Sequence, residues 1–347
     1  MAKRRLSKQQ QRRIAMQQRN KLKDDDLQLD ESSTQLARVI SHHGKQLYAE
    51  TEDRHKIKCK IRQNLGDIAC GDYVLVQQEL HDDDHSEQSD NTAAAKREAL
   101  NVVVAVKDRD NLLVKTGFAG AIKPVAANIG QLVIVTSVIP KPNAYLIDRY
   151  LSSAENLPAK ALIVINKIDL ADEETKVLVD KLSKLYKDIG YRVIKSSVKQ
   201  DIGIDELSEA LSNTTSILVG LSGVGKSSIV KKILPAEEIK IGQTSEATGE
   251  GKHTTTVSAL YHLKDNGIII DSPGVRDFTP ITRDLEEVSN GFVDIRPFTG
   301  RCKFSNCSHL NEPGCAVRQA VDEGAINQQR FNSYLRMIEE FRESTTA

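Results

Sequence analysis

The chain has 347 residues, of which 48 are Lys or Arg and 48 are Asp or Glu, so its formal net charge is zero. A neutral total argues against a nucleic-acid-binding protein, because phosphate backbones select basic surfaces, but the total hides where the charges lie. Hydrophobic residues make up 39% and charged residues 28%, which is typical of a globular chain of about two or three domains.

The apolar and cysteine content narrows the class of protein further. No segment approaches the roughly 18–20 consecutive apolar residues of a membrane helix, and no apolar stretch follows the basic start as in a secretory signal. Five cysteines are an odd number in a long chain, which argues against a disulfide framework and for a reducing compartment. We therefore expect a cytoplasmic protein with no membrane partner. We also expect it to be a monomer.

The first 23 residues carry nine basic side chains and no acidic one. Apolar residues are sparse here, so residues 1–34 are predicted to be a basic disordered arm. The arm is either a solvated tail or a segment that lies along nucleic-acid phosphates. Without it, 48 − 9 = 39 basic residues face 48 acidic ones, a net charge of −9. The neutral total is thus a cancellation between a basic arm and an acidic body.

Residues 35–120 show short strands separated by turns. Segment 55–62, His-Lys-Ile-Lys-Cys-Lys-Ile-Arg, alternates polar and apolar side chains as a half-buried strand does. Five or six such strands predict a small closed β-barrel, an OB-fold that binds RNA. The predicted strands are Gln35–Ile40, Lys45–Glu50, His55–Arg62, Asp72–Gln78, Leu100–Val106 and Leu112–Lys115. Residues 79–90 contain six acids and are predicted to be an exposed loop without an assigned function.

In residues 121–282 short apolar strands alternate with helices. This alternation predicts an α/β domain with a parallel sheet and helices on both faces. The predicted strands are Gln131–Val138, Ala161–Ile165, Tyr191–Lys195, Ser216–Val219 and Gly267–Ile270, and the predicted helices are Glu173–Ile189 and Ile204–Leu211.

A phosphate-binding P-loop, Gly-Leu-Ser-Gly-Val-Gly-Lys-Ser, lies between a predicted strand and a helix. Glycines let backbone N–H groups surround the phosphates, and the helix N-terminus adds positive potential. The lysine reaches the β- and γ-phosphates, and the following serine can ligate Mg²⁺. The predicted contacts are Gly220, Leu221, Ser222, Gly223, Val224, Gly225, Lys226, Ser227 and Ser228. A chance glycine-rich turn is the alternative.

Two further loops complete a predicted guanine-nucleotide site. Asp271, in Asp-Ser-Pro-Gly, can hold Mg²⁺, and Gly274 leaves room for its N–H to meet the γ-phosphate. In Asn166-Lys167-Ile-Asp169 the aspartate can accept hydrogen bonds from guanine N1–H and N2–H₂, a donor pair that adenine lacks. Asn166 and Lys167 would brace this loop, and Ser196-Ser197 could place a backbone N–H on guanine O6.

The order of these loops differs from that of an ordinary GTPase, in which the P-loop comes first. Here Asn-Lys-x-Asp precedes the P-loop, and Asp-x-x-Gly comes last. Since all three loops follow strands of one predicted sheet, a circular permutation rebuilds the same site. The chain after Asp271 then runs directly into the C-terminal region.

Residues 283–347 combine a cysteine cluster with a terminal helix. Cys302, Cys307, His309 and Cys315 match a closed tetrahedral zinc site, with free or redox-active cysteines as the alternative. Cys59 and Cys70 lack ligand spacing and are predicted to be small buried residues. The terminal helix, Asn327–Arg342, repeats apolar residues at helical spacing, which indicates packing.

With these motifs the sequence resembles the RsgA (YjeQ) family of circularly permuted ribosome-biogenesis GTPases. The resemblance covers nearly the whole chain apart from the acidic loop, and it includes Arg5–Lys8, Lys123–Asn128, Asn166–Asp169, Gly220–Ser228, Gly251–Thr256, Asp271–Arg276 and the cysteine cluster. It implies an OB-fold, a permuted GTPase and a zinc domain. It also implies GTP and GDP as ligands and the small ribosomal subunit with its rRNA as the partner that stimulates hydrolysis.

Hydrolysis needs a residue that orients water, and Val275 stands where many GTPases place Gln. His253, in Gly-Lys-His-Thr-Thr-Thr, could orient or deprotonate water, or it could be a surface histidine. One of the three following threonines should close on Mg²⁺, and Thr255 is favoured. The predicted catalytic residues are His253, Lys226 and Thr255, and the predicted magnesium ligands are Ser227, Thr255 and Asp271.

Two other functions compete with this reading. The chain could be an RNA-binding module in which nucleotide only tunes affinity, a reading that Val275 favours and His253 opposes. It could also be an ATPase subunit of a transporter or helicase, which the Asn-Lys-x-Asp motif disfavours.

Overall fold

A computed structural model describes residues 34–43, 46–62, 65–79, 100–116, 122–235, 258–272 and 284–346. Several predicted features lie outside these ranges: residues 1–33 of the basic arm, all but the first residue of the acidic segment, His253, Thr255 and Gly274. The last residue of the predicted arm, Thr34, begins the first strand. Within them, no helix combines the length and apolar character needed to cross a membrane.

Five strands close into a barrel, as predicted. They are β1 (Thr34–His43), β2 (Gln46–Thr51), β3 (Lys56–Ile61), β4 (Tyr73–Glu79) and β5 (Leu100–Val106). The strands neighbour one another in the order β1-β2-β3-β5-β4, and β4 pairs back to β1. Only the β3–β5 pair among these five strands is parallel. This closed five-stranded arrangement is an OB-fold.

The alternating sequence of β3 sorts its side chains between the core and the solvent. Cys59 is buried in the barrel core, whereas Lys56, Lys58 and Lys60 are exposed on the outer face. Cys70 is also buried. Burial raises the pKa of Cys59 to about 11 and that of Cys70 to about 12, so both thiols stay protonated and unreactive.

The sixth predicted strand lies outside the barrel. It forms β6 (Leu112–Thr116), which pairs with β7 (Ile122–Ala127) as a separate two-stranded sheet. This pair crosses residue 120, where the barrel domain is predicted to end. The Ala127 N–H donates to the Cys70 carbonyl oxygen at 2.9 Å and thereby holds the hairpin against the barrel.

The central sheet contains β8 (Gln131–Ser137), β9 (Lys160–Asn166), β10 (Arg192–Lys195), β11 (Thr215–Val219), β12 (Ala259–His262) and β13 (Ile268–Asp271). Its order is β10-β9-β8-β11-β13-β12. The first five strands in this order are parallel, as predicted, and β12 runs antiparallel to β13, so the sheet is mixed. Strand β12 also pairs with β1, with Ser41 opposite Ala259. The barrel and the central sheet are therefore continuous.

Four helices pack on this sheet: α1 (Ala144–Asn156), α2 (Glu173–Ile189), α3 (Ile204–Ala210) and α4 (Lys226–Ile233). The sequence sets both ends of α2. The Asp172 carboxylate accepts from the Thr175 N–H at 2.8 Å, and Gly190 ends the helix in the left-handed conformation. The predicted helix over 173–189 is confirmed.

The C-terminal region forms a small helical unit of α5 (Leu285–Asn290), α6 (Arg296–Thr299), α7 (Ala316–Asp322) and α8 (Gln328–Thr346). Its core contains Val288, Phe292, Val317, Tyr334 and Ile338. The predicted terminal helix is observed as α8. The Phe292 and Tyr334 rings meet edge to face, with centroids 5.4 Å apart.

Candidate nucleotide-binding site and metal centre

The P-loop connects the end of β11 to the start of α4. A Cβ on Gly220 would overlap the carbonyl oxygen of Val135, and one on Gly225 would overlap Nδ2 of Asn166. Both glycines also have positive φ, of 138° and 99°. Only glycine allows the backbone to pass this close to β8 and β9 while turning into the helix.

The first turn of α4 carries the polar groups of the motif. No side chain in the described part of the chain caps this helix, so its first N–H groups face the loop. Ser227 and Ser228 are exposed there. The Lys226 ammonium folds back and donates to the carbonyl oxygens of Gly220 and Leu221, each at 2.7 Å.

The Asn-Lys-x-Asp loop lies directly against the P-loop. Asn166 ends β9 and is buried, and its Nδ2 donates to the Val224 carbonyl oxygen at 3.0 Å. The Lys167 ammonium donates to the carbonyl oxygens of Gly223 and of Ile139 in the loop after β8. Two motifs more than 50 residues apart in the chain therefore form one connected surface.

Asp169 and the loop after β10 form the remaining side of this surface. The Ser197 hydroxyl donates to Asp169 Oδ1 at 2.6 Å and fixes one oxygen of the carboxylate. The Ser196 hydroxyl donates to Asn166 Oδ1 at 3.2 Å. The Ser196 N–H donates to the Ile165 carbonyl oxygen at 2.9 Å, within the strand pairing. The prediction that this N–H points at guanine O6 therefore disagrees with the structure, because the sheet already uses it.

Asp271 is the last residue of β13 and is partly buried. Since β13 runs parallel to β11, Asp271 lies at the same sheet edge as the P-loop. Just beyond it, the Ser258 hydroxyl donates to the Ser272 hydroxyl at 2.7 Å and ties the end of β13 to the start of β12. The structure thus describes the guanine and P-loop sides of the site, whereas Gly274, His253 and Thr255 lie outside the described residues.

The predicted zinc ligands come together in the C-terminal unit. Their ligand atoms lie within 4.8 Å of one another, and the residues are Cys302, Cys307, His309 and Cys315. His309 Nδ1 is 3.5 Å from the Sγ atoms of Cys302 and Cys315, and these two sulfurs are 3.9 Å apart. A tetrahedral zinc ion bound at about 2.3 Å to sulfur and about 2.1 Å to nitrogen separates its ligands by about 3.5–3.8 Å. The cluster therefore fits a metal ion of this size.

Two features around the cluster favour metal binding. Burial lowers the pKa of His309 despite the nearby Glu312 charge, which favours the neutral imidazole that a metal requires. Glu312, which was not predicted, accepts hydrogen bonds from the N–H groups of Ser308, Leu310 and Asn311 and fixes the loop that carries His309. A carboxylate three residues after the histidine of a short cysteine–histidine spacing is the sequence signal for this role.

Comparison with known proteins agrees with this geometry. The family model described as RsgA GTPase matches residues 106–280. A protein of Saccharophagus degradans named small ribosomal subunit biogenesis GTPase RsgA is 41% identical over 354 residues, covering 98% of this chain and 97% of that protein. A protein of the same name from Photorhabdus laumondii is 40% identical, covering 98% of this chain and 95% of that protein.

Solved structures show the same architecture. The crystal structure of YjeQ from Thermotoga maritima superposes with a TM-score of 0.69 at 31% identity, covering 88% of this chain and 98% of that one. The crystal structure of YloQ, described as a circularly permuted GTPase, has a TM-score of 0.66 at 26% identity, covering 90% and 96%. With its motifs in permuted order on one sheet edge, the chain belongs to the RsgA GTPase family.

Proposed function

We propose that this chain hydrolyses GTP, binds the small ribosomal subunit late in its assembly and is stimulated by that subunit. The observation that carries the proposal is the hydrogen bond from Asn166 to the Val224 carbonyl oxygen, which joins a guanine-type loop to a phosphate-binding loop. The relatives at 40–41% identity are named for small-subunit biogenesis. Their partner is proposed for this chain on that basis.

Guanine recognition is assigned to Asp169. Its carboxylate would accept hydrogen bonds from guanine N1–H and N2–H₂, and the Ser197 hydroxyl would hold it in position. Adenine would leave this carboxylate unpaired, which favours GTP over ATP. The Ser197 N–H, like that of Ser196, is used inside the protein, where it donates to the Ile202 carbonyl oxygen. The contact to guanine O6 therefore passes to the N–H of Val198 or Lys199.

The phosphates are assigned to the P-loop backbone, Lys226 and the first turn of α4. Lys226 would exchange its bonds to the Gly220 and Leu221 carbonyl oxygens for phosphate oxygens. Mg²⁺ would be held by Ser227, Asp271 and Thr255. When bound, this ion neutralises charge that develops on the phosphates during transfer.

The attacking water is assigned to His253, because Val275 cannot orient it. The N–H of Gly274 would meet the γ-phosphate. His253→Ala should lower subunit-stimulated turnover by about 100-fold while GTP affinity is retained. If stimulated turnover of the variant equals that of the wild type, another group orients the water.

We assign the binding of ribosomal RNA to the barrel and to the basic arm. Lys56, Lys58 and Lys60 form an exposed cationic row on β3, and Tyr48 of β2 lies opposite Lys58 and is 39% exposed. Cationic side chains bind the phosphate groups of RNA, and an exposed aromatic ring can stack on a base. Deleting residues 1–23 should weaken subunit binding and reduce its salt dependence, and an unchanged salt slope would make the arm a solvated tail.

The metal in the cysteine cluster is assigned as one structural zinc ion. Three thiolates and one imidazole would fill its coordination sphere, which suits folding rather than chemistry. Nearby, Lys303 lies over the Phe304 ring at 5.6 Å, a cationic and aromatic surface suited to RNA. The protein is further proposed to be a cytoplasmic monomer, which sedimentation of the purified chain with and without nucleotide tests.

The proposed function is tested by multiple-turnover phosphate release. We expect slow release by the protein alone, a large increase with small ribosomal subunits and none with large subunits. Excess ATP should leave GTP turnover nearly unchanged. Absence of stimulation by small subunits would contradict the proposed function, and strong competition by ATP would contradict the role of Asp169.

A further inference from the structure

Arg330 of α8 is the largest fully buried side chain in the described part of the protein. Its Nη1 donates to Asp148 Oδ1 at 2.7 Å, and its Nη2 donates to Asp294 Oδ1 at 2.6 Å. The guanidinium also lies 4.4 Å from the centroid of the Phe292 ring. Burying a guanidinium is costly unless its partners are fixed, so this cluster demands one relative placement of the elements that supply them.

The partners of Arg330 come from two different units. Asp294 belongs to the C-terminal unit, whereas Asp148 lies in α1 on the central sheet and is fully buried. The Tyr186 hydroxyl of α2 donates to the same oxygen of Asp148 at 2.8 Å. A single side chain of α8 is therefore fixed, directly or through Asp148, to two helices of the GTPase unit.

Close backbone packing surrounds this cluster. A Cβ on Gly291, at the end of α5, would lie 2.7 Å from the Ser152 Cα of α1. The Asn156 amide of α1 donates to the Glu287 carbonyl oxygen of α5 at 2.8 Å. Ser152, which faces the end of α5, lies one helical turn after Asp148, which binds Arg330 of α8. Helices α5 and α8 therefore pack on the same face of α1.

Helix α1 also reaches the nucleotide site. Its residues Leu146, Ile147 and Tyr150 line a small pocket together with Gly220, Leu221 and Val224 of the P-loop. Asp148 is next to Ile147 in the chain. Hydrogen bonds thus join Arg330 to Asp148 of α1, and α1 in turn borders the same small pocket as the loop that is assigned to the phosphates.

We propose that Arg330 is a positioning residue that couples the zinc-binding C-terminal unit to the P-loop through Asp148 and α1. Binding of the ribosomal subunit to the C-terminal unit would then change the position of the P-loop in the nucleotide site. The inference rests on the proposed function for the identity of the partner. The competing explanation is that Arg330 only stabilises the C-terminal unit.

The test compares Arg330→Met with Arg336→Met in the full chain. Arg336 lies on the same helix and over the Tyr145 ring of α1, but its side chain is 59% exposed. In Arg330→Met we expect one retained zinc ion per chain and basal turnover within about twofold of wild type. We expect the stimulated kcat to fall about tenfold or more, with the KM for subunits changed by less than about threefold. Arg336→Met should match wild type within about twofold in all four quantities.

Retained zinc with a wild-type stimulated kcat in Arg330→Met would overturn the proposal. Arg330→Met leaves the carboxylates of Asp148 and Asp294 without their cationic partner, so the substitution can also unfold the C-terminal unit. A second variant, Asp148→Asn/Asp294→Asn/Arg330→Met, removes all the charges of the cluster together. If it keeps zinc, a low stimulated kcat supports positioning and a wild-type value overturns it. Loss of zinc from both variants would establish a purely structural role and also overturn the proposal.

Hydrogen exchange without subunits separates this inference from the proposed function. Amides of α1 and α5 should exchange at least about tenfold faster in Arg330→Met than in wild type. Unchanged exchange would overturn the coupling even if subunits stimulate the wild-type enzyme. If subunits fail to stimulate the wild type while exchange rises as expected, the proposed function fails and the contact from Arg330 to α1 stands.

Discussion

The GTPase unit is joined to its two neighbours in different ways. The barrel continues the central sheet, because β1 pairs with β12. The hairpin of β6 and β7 adds a second backbone link, in which the Ala127 N–H donates to the Cys70 carbonyl oxygen. The C-terminal unit is held by side chains, above all by the buried ion cluster of Arg330, Asp148 and Asp294. We call the first connection the barrel junction, and it is formed mainly by backbone hydrogen bonds. We call the second the zinc junction, and it is formed mainly by buried charged side chains.

This difference determines how each connection can fail. Backbone hydrogen bonds do not depend on side-chain identity, so the barrel junction tolerates most substitutions that spare the backbone geometry. Removing one partner of a buried ion pair leaves a charge uncompensated and costs about 3–5 kcal/mol. We therefore expect the zinc junction to be the one that single substitutions uncouple, and four experiments test this contrast.

Removing a metal ligand should have the largest effect. Cys315→Ser should abolish zinc binding and loosen the zinc junction, because apparent zinc-binding free energies of about 10–16 kcal/mol contribute directly to folding in small zinc peptides. Zinc per chain and limited proteolysis of residues 284–346 measure the loss. Cys59→Ala is the matched control, since Cys59 is a buried thiol outside the cluster. If Cys315→Ser keeps its zinc, the metal centre is assigned wrongly.

Gly71→Ala should disturb the barrel junction through its backbone. Gly71 has φ of 94°, and a Cβ there would overlap the Ala127 carbonyl oxygen. Left-handed strain of about 1–2 kcal/mol adds to a steric cost of about 1–3 kcal/mol. Gly66→Ala is the control, because Gly66 has φ of 75° but nothing within 4 Å of the added carbon. Equal denaturation midpoints for both variants would show that the contact to Ala127 is unimportant.

Gly291→Ala should disturb the zinc junction without any backbone strain. Its φ is −76°, so the expected cost of about 1–3 kcal/mol comes only from the overlap with Ser152. Gly300→Ala, in the same unit, adds a carbon with nothing within 4 Å. Hydrogen exchange should rise in α1 and α5 for Gly291→Ala alone. A rise in β1 and β12 instead would break the contrast between the two junctions.

The smallest effect is expected at an ion pair that joins the barrel to β12. Glu50 of β2 accepts a hydrogen bond from His262 of β12 at 2.6 Å. Burial acts to raise the pKa of Glu50, but the hydrogen bond and charge of His262, together with the charges of Lys56 and Arg54, outweigh it, so the pKa lies below its ordinary 4.5.

A carboxylate whose pKa is lower in the folded than in the unfolded state stabilises the fold. Its full contribution is present at pH values above the unfolded-state pKa, and it is lost as the pH falls through the folded-state pKa. Glu50→Gln should therefore cost about 1 kcal/mol at neutral pH. It should also flatten the loss of stability below about pH 4.5. Urea midpoints between pH 3 and pH 7 measure this, and parallel curves for wild type and variant would show that Glu50 contributes no pH dependence.

The local sequence was sufficient to predict the motifs. The pairing of strands and the packing between units depend on contacts between residues far apart in the chain. The P-loop, the Asn-Lys-x-Asp loop and the zinc ligands were located because each depends on fixed spacing within a few residues. The six predicted barrel strands were all found within a few residues of their predicted ends, but β6 pairs with β7 outside the barrel. Strand pairing between distant segments is not encoded in the pattern of one strand.

The features that the sequence did not reveal join residues far apart in the chain. Arg330 and Asp148 are separated by 182 positions, and neither lies in a motif. The continuity of barrel and sheet depends on β12, a strand of only four residues. The role of Ser196 was misjudged because its N–H looks available in the sequence, whereas strand pairing with Ile165 uses it.

The central claim is that loops from one sheet edge form a guanine-nucleotide site whose turnover the small subunit stimulates. The most direct measurement is phosphate release by Asp169→Asn with small subunits, supplied with either GTP or XTP. Xanthine carries a carbonyl where guanine carries N2–H₂, so the asparagine amide can donate to it. We predict that the variant loses stimulated GTP turnover by about 100-fold or more and hydrolyses XTP instead, whereas the wild type does the reverse. Unchanged stimulated GTP turnover by the variant would show that Asp169 does not read the base and would contradict the account.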